Sequence, residues 1–166
     1  MEHPVWQLAT DQQEAALVLT PCPGTKGVSL QDSLTQLQAL GVKAVVSAIS
    51  TSEMKAKGVV ELGVLTEQLG MAWHHLVIED DCAPSDDFAS QWAAVSPSLQ
   101  AILAKGGKVA LHCMGGSGRT GLFAAHLLLE QGWPIERIIP AVQSLRPGAF
   151  TKAVQLEYIN AVAAQS

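Results

Sequence analysis

The chain has 166 residues, a length that fits one domain with a sizeable core. Hydrophobic residues make up 48% and charged residues 15%, a globular balance that excludes the low-hydrophobicity signature of disorder. The formal net charge of −5 gives no electrostatic reason to expect nucleic-acid binding, so any anionic ligand must be held by a local site rather than by the overall field.

The three cysteines, Cys22, Cys82 and Cys113, are odd in number and widely spaced, which reads neither as a disulfide framework nor as a metal finger. Met1 to Thr10 lacks the basic stretch and apolar run of a signal peptide. No apolar run is long enough to cross a bilayer. A reducing, cytoplasmic setting without a membrane is the expectation.

Ala15 to Leu19 is a short apolar run ended by the loop signal Thr20-Pro21-Cys22-Pro23-Gly24, in which Cys22 reads as a plain loop residue. Ser29 with Asp32 makes a capping-box-like start. Leu30, Leu34, Leu37 and Leu40 then follow at helical spacing up to Gly41. Lys43 to Ile49 reads as a buried strand, Val60 to Leu69 as a helix closed by Gly70, and Trp73 to Ile78 as a strand. A polar loop from Glu79 to Pro84 leads to Ser85, a predicted helix N-cap with Asp86 and Asp87 in the first turn. Phe88, Trp92, Val95, Leu99 and Ile102 mark the buried face of that helix, and Pro97 predicts a kink. Val109 to Leu111 is a short strand, and a helix starts near Arg119. Another helix is expected from about Ile135 to Leu145, against the local preference of Pro140, and a last one runs to about Ala164. Alternating strands and helices predict an α/β fold, with a mostly parallel central sheet flanked by helices. Without repeats or linkers, residues 1–166 read as a single domain.

The chemistry concentrates in His112-Cys113-Met114-Gly115-Gly116-Ser117-Gly118-Arg119-Thr120-Gly121. A strand ends, a glycine-rich loop follows, and a helix begins. Glycines at 115, 116 and 118 permit unusual backbone angles and leave N–H groups unobstructed. Successive N–H groups from Met114 to Gly118 can form a concave anion nest. The helix N-terminus adds partial positive charge. Cysteines in such fields ionise more readily than free thiols, and a thiolate is a strong nucleophile for phosphorus. Arg119 offers a planar fork for two parallel hydrogen bonds to phosphate oxygens. The Thr120 hydroxyl can donate to the cysteine sulfur. The absence of a Gly-Lys-Ser/Thr ending excludes a Walker-type loop.

His112-Cys113, five residues, then Arg119-Thr120 resembles the HC-x5-R-S/T signature of the protein tyrosine phosphatase superfamily. The short chain resembles its dual-specificity branch. The loop looks most like that of the kinase-associated, cyclin-dependent kinase inhibitor type phosphatases. The similarity runs from about Gly41 to Tyr158 and includes the His74-His75 strand, the Asp80 and Pro84 loop, and the stretch from Ala149 to Gln155.

The resemblance implies a dual-specificity phosphatase-like fold and hydrolysis through a phosphocysteine on Cys113. It assigns phosphate binding to Arg119 and the loop amides, loop support to His112, and a water-positioning role to Gln155. It also implies a general acid upstream of Cys113, for which Asp80 is preferred and Asp81 stays open. No cofactor or metal is called for: Arg119 and the nest neutralise the phosphate, and neighbours such as His74 and His75 point to opposite faces of a strand. Cys82, close to the acid, is a candidate disulfide partner for Cys113 after oxidation. The expected partner is a phosphorylated protein or peptide carrying phosphotyrosine, with phosphoserine and phosphothreonine open. The lack of a basic residue from Met114 to Gly118 argues against a polyphosphorylated inositol. A small-molecule or inositol phosphate phosphatase and a phosphopeptide-binding pseudophosphatase are the alternatives.

Overall fold

A computed structural model describes residues 1–165. Five strands form one sheet in the order β1-β2-β5-β3-β4: β1 Trp6–Ala9, β2 Ala16–Thr20, β3 Val42–Ser47, β4 Ala72–His75 and β5 Lys108–His112. All neighbours are parallel except the edge pair β1 and β2. The expected α/β architecture with a mostly parallel sheet is therefore observed.

Both faces of the sheet are covered, as parallel strands require. Val18, Val45 and Ala110 pack on one face against Leu34 and Leu37 of α1 (Leu30–Ala39). Leu17, Val46, Val109 and Leu111 face the larger core, which contains Phe88, Trp92 and Leu99 of α4 (Phe88–Ala104) and Leu122, Phe123 and Leu127 of α5 (Gly118–Glu130). Helix α5 is apolar almost all round because it is enclosed, with the sheet on one side and α6 (Ile135–Leu145) and α7 (Ala153–Ala164) on the other. Central strand β5 lies between β2 and β3 in a register that levels Thr20, His112 and Ser47. The loops leaving these three strands thus gather at one edge, the carboxyl end where α/β sheets place their ligands.

Several local expectations are corrected. Ser85 does not cap α4; it accepts the Phe88 N–H at 3.0 Å in a turn, and the helix starts at Phe88 with Asp87 before it and no side-chain cap. Phe88 is almost fully buried against Trp92 and Phe123, and tertiary packing thus sets the start. The helix expected from Val60 to Leu69 is shorter, α3 Leu62–Gln68. An unforeseen helix, α2 Thr51–Lys57, precedes it and opens on a complete capping box between Ser50 and Glu53. The strand expected from Trp73 to Ile78 is assigned only as Ala72–His75, although the Leu76 and Ile78 N–H groups still donate to the Ser47 and Ala48 carbonyls at 2.9 and 3.0 Å. Both prolines, Pro97 and Pro140, lie inside continuous helices. Among the described residues, no helix is long and apolar enough to cross a membrane.

Burial holds the pKa values of His112 and His126 down at about 4. Between pH 6.5 and 4 these side chains would take up a proton in the unfolded chain but not in the folded one, so stability falls as pH drops through that window. Thermal unfolding should show Tm decreasing from pH 6.5 toward pH 4.5, with a shallower slope in His126→Gln. An unchanged slope would show that His126 titrates normally.

Candidate active site

The nucleophile candidate leaves the end of β5 directly. Cys113 is 4% exposed, and its Sγ accepts the Gly116 N–H and the Thr120 hydroxyl, each at 3.2 Å. A thiolate accepts such bonds more strongly than a thiol. Of the three loop glycines, Gly116 is the one the geometry demands. Its φ is +83°, and a Cβ there would stand 2.6 Å from the Pro21 nitrogen. Gly115 has open space around it, and Gly118 lies against Gln155. Ser117 stands at the N-cap of α5 without a side-chain cap, which leaves the first-turn amides without a partner from that side chain. Met114 turns its side chain into a small core of Ile49, Met54, Val59 and Leu62. Its carbonyl accepts the Cys22 N–H at 2.9 Å.

His112 is fully buried. Trp73 Nε1 donates to Ser47 Oγ at 2.9 Å, Ser47 Oγ lies 2.5 Å from His112 Nε2, and His112 Nδ1 lies 3.0 Å from the Cys113 carbonyl. One proton arrangement satisfies the chain: Ser47 donates to Nε2, and Nδ1–H donates to the carbonyl. Burial, which brings the imidazole pKa down to about 4, keeps it neutral in this role. The ring thus links Ser47 at the end of β3 to the backbone that leaves β5.

Arg119 is 2% exposed. Its Nη1 donates to Glu53 Oε2 at 2.9 Å and to the Ile78 carbonyl at 3.0 Å. Its Nη2 lies 3.5 Å from Asp80 Oδ1, and its Nε has no partner among the described residues. Burial disfavours the guanidinium charge, but the Glu53 hydrogen bond and the Cys113, Glu53 and Asp80 charges outweigh it and raise the pKa further. The cation is held through one nitrogen, while the Nε–H is left without an acceptor among the described residues. Glu53 is the residue missed in the sequence. Its capping-box pattern was readable, but its contact with a residue 66 positions away was not.

The two aspartates separate. Asp80 faces Arg119, whereas Asp81, at φ +61°, places its carboxylate 3.7 Å from Lys152 Nζ. Gln155 is buried, donates through Nε2 to the Cys82 carbonyl at 3.0 Å, and leaves Oε1 without a partner beside Gly118. It therefore ties the loop of Asp80 and Cys82 to the end of the cysteine loop. Cys82 is exposed and its thiol is free. Cys22 is fully buried rather than a plain loop residue, and burial pushes its thiol up to about 12.

A buried cysteine with a loop amide on its sulfur, a buried arginine and an acidic loop thus meet at one end of the sheet, the arrangement expected of a cysteine-based phosphatase. A family model described as polymorphic toxin system, DSP-PTPase phosphatase matches residues 23–133, more than half of the chain. The chain belongs to the cysteine-based dual-specificity phosphatase family. It is 32% identical over 138 residues to cyclin-dependent kinase inhibitor 3 of Rattus norvegicus, covering 80% of this chain and 62% of that protein. It is 32% identical over 83 residues to tyrosine-protein phosphatase CDC14 of Saccharomyces cerevisiae, covering 49% of this chain and 14% of that one. The chain thus spans less than two thirds of either relative. Among solved structures, kinase associated phosphatase with its catalytic-site cysteine substituted by serine shares the fold, with a TM-score of 0.85, 24% identity and coverage of 99% and 96%.

Glu53→Gln should lower kcat/KM for an aryl phosphate by about 10- to 100-fold, the scale of losing one charge-assisted hydrogen bond. Circular dichroism checks that the variant is folded. Unaltered kinetics would show that Arg119 needs no carboxylate to hold it.

Proposed function

We propose that this chain is a protein phosphatase that hydrolyses phosphotyrosine, with phosphoserine and phosphothreonine also accepted, through a phosphocysteine on Cys113. The observation that carries the proposal is the buried Arg119, clamped through Nη1 with Nε left unpartnered, on the same loop as a Cys113 sulfur that already accepts two hydrogen bonds.

In the first step the Cys113 thiolate attacks phosphorus and the bond from phosphorus to the ester oxygen breaks. Asp80 gives its proton to the departing oxygen. Arg119, through Nε and Nη2, and the amides from Met114 to Gly118 hold the equatorial oxygens as charge builds on them. In the second step water attacks phosphorus, its proton passes to Asp80, and the phosphorus–sulfur bond breaks. Thr120, donating to Sγ, eases departure of the sulfur. Gln155 Oε1 is a free acceptor that can orient the water. Asp80 is 68% exposed, which suits a leaving group carried on another protein's surface. The names kinase associated phosphatase and tyrosine-protein phosphatase point the same way. The absence of a basic residue between Cys113 and Arg119 favours a singly phosphorylated substrate over a polyphosphorylated inositol.

Cys113→Ser should abolish turnover while phosphate still binds, because the nest and Arg119 bind and the sulfur attacks. Retained turnover would end the phosphocysteine mechanism. Initial rates on phosphopeptides, inositol phosphates and small metabolites then test the substrate class, with phosphotyrosine peptides expected to lead.

Asp80→Asn should depress kcat strongly for alkyl esters and far less for leaving groups that depart without a proton. The basic limb of its pH–rate profile should flatten. Asp81→Asn should do little, since its carboxylate faces Lys152. The reverse pattern would transfer the acid role to Asp81.

A further inference from the structure

Arg146 follows α6 and is separated from the cysteine loop by most of two helices, yet its guanidinium reaches the back of that loop. Its Nε donates to the Gly116 carbonyl at 3.1 Å and its Nη2 to the Gly115 carbonyl at 2.9 Å. The guanidinium carbon lies 3.9 Å from the centroid of the Trp6 ring, which stacks on it from edge strand β1. Such stacking restrains the plane of the fork as well as its charge.

A peptide unit is planar, with its C=O and N–H pointing opposite ways. Holding the Gly115 carbonyl toward Arg146 turns the Gly116 N–H away from it, and that N–H donates to Cys113 Sγ at 3.2 Å. Holding the Gly116 carbonyl likewise turns the Ser117 N–H away from Arg146. Glycine peptides rotate at little steric cost, so this stretch is the part of the nest least able to fix itself.

We propose that Trp6 and Arg146 form a positioning pair that orients the Gly115–Gly116 and Gly116–Ser117 peptides, so that their N–H groups serve the sulfur and the bound oxyanion. The inference rests on the phosphatase reading of this loop. Trp6 acts through Arg146, and Arg146 through the loop backbone; neither touches the reacting atoms. The hydrogen bonds divide the labour: Arg119 keeps one nitrogen without a protein partner, and Arg146 spends its donors on loop carbonyls. Lysine, with one compact ammonium, cannot span both carbonyls in the same plane. By this account the antiparallel strand at the sheet edge belongs to the active end of the molecule.

The test measures aryl phosphate kinetics and orthovanadate inhibition for the wild type, Trp6→Leu, Arg146→Lys, Arg146→Met and the Trp6→Leu/Arg146→Met double variant. Each is assayed at a temperature where circular dichroism shows it folded. Arg146→Met is expected to lower kcat/KM by about 10- to 100-fold and to weaken vanadate inhibition by a similar factor. Arg146→Lys should recover only part of this. Trp6→Leu should cost several-fold by itself and add nothing in the Arg146→Met background. Values for Arg146→Met within about twofold of wild type would overturn the proposal, as would fully multiplicative effects of the two substitutions. If Arg146→Met does not fold, Trp6→Leu and Arg146→Lys decide by the same twofold criterion. Absence of turnover in the wild type overturns the phosphatase reading instead, and vanadate affinity measured by calorimetry then still reports whether the pair orients the loop.

Discussion

A guanidinium buried at the end of a sheet must be paired, since an unpaired buried charge costs several kcal/mol, on the order of 3–5 when one partner is removed. Arg119 meets that requirement asymmetrically. Glu53 and the Ile78 carbonyl hold Nη1, while Nε has no partner among the described residues. The surrounding fold serves this arrangement. Helix α5 buries Arg119 in its first turn, the capping box of α2 fixes Glu53, and the chain beyond β4 brings in Ile78 and Asp80.

The second constraint is orientation of the backbone. An anion nest works only if consecutive N–H groups converge, and glycine-rich backbone does not converge unaided. Contacts from distant elements supply the order. His112 bonds to the Cys113 carbonyl from the strand side, and Cys22 bonds to the Met114 carbonyl from the loop after β2. The tight approach of Gly116 to the Thr20–Pro21 backbone leaves no room for the loop to shift. Neutral His112 also fits this role better than a charged one, because a buried imidazolium would compete with Arg119 for negative charge.

What was readable in the sequence was what is local. Strand, glycine loop and helix from Val109 to Thr120 are consecutive, so their chemistry could be inferred from spacing, and the Thr120 bond to sulfur was foreseen and is present. Helix α6 was placed correctly through Pro140 because the apolar pattern outweighed one unfavourable residue. Features set by distant packing were not readable. Ser85 had the residue type of a cap, but the burial of Phe88 moved the helix start. Strand β1 carries one buried residue in four, too little for a periodic signal. The places of Glu53 and Arg146 come from contacts 66 and about 30 residues away, which no local spacing shows. The sequence preferred Asp80 and left Asp81 open; the positive φ at Asp81 and the positions of Arg119 and Lys152 place the two carboxylates apart.

The central claim is that the oxyanion held by Arg119 and the nest is transferred to the sulfur of Cys113. Rapid acid quench during turnover of an aryl phosphate, followed by peptide mass spectrometry, tests it directly. The account predicts a phosphoryl group on the peptide containing Cys113, formed within the first turnover and lost as substrate is exhausted. Turnover with no covalent phosphoryl adduct, or with the adduct on another residue, would contradict it.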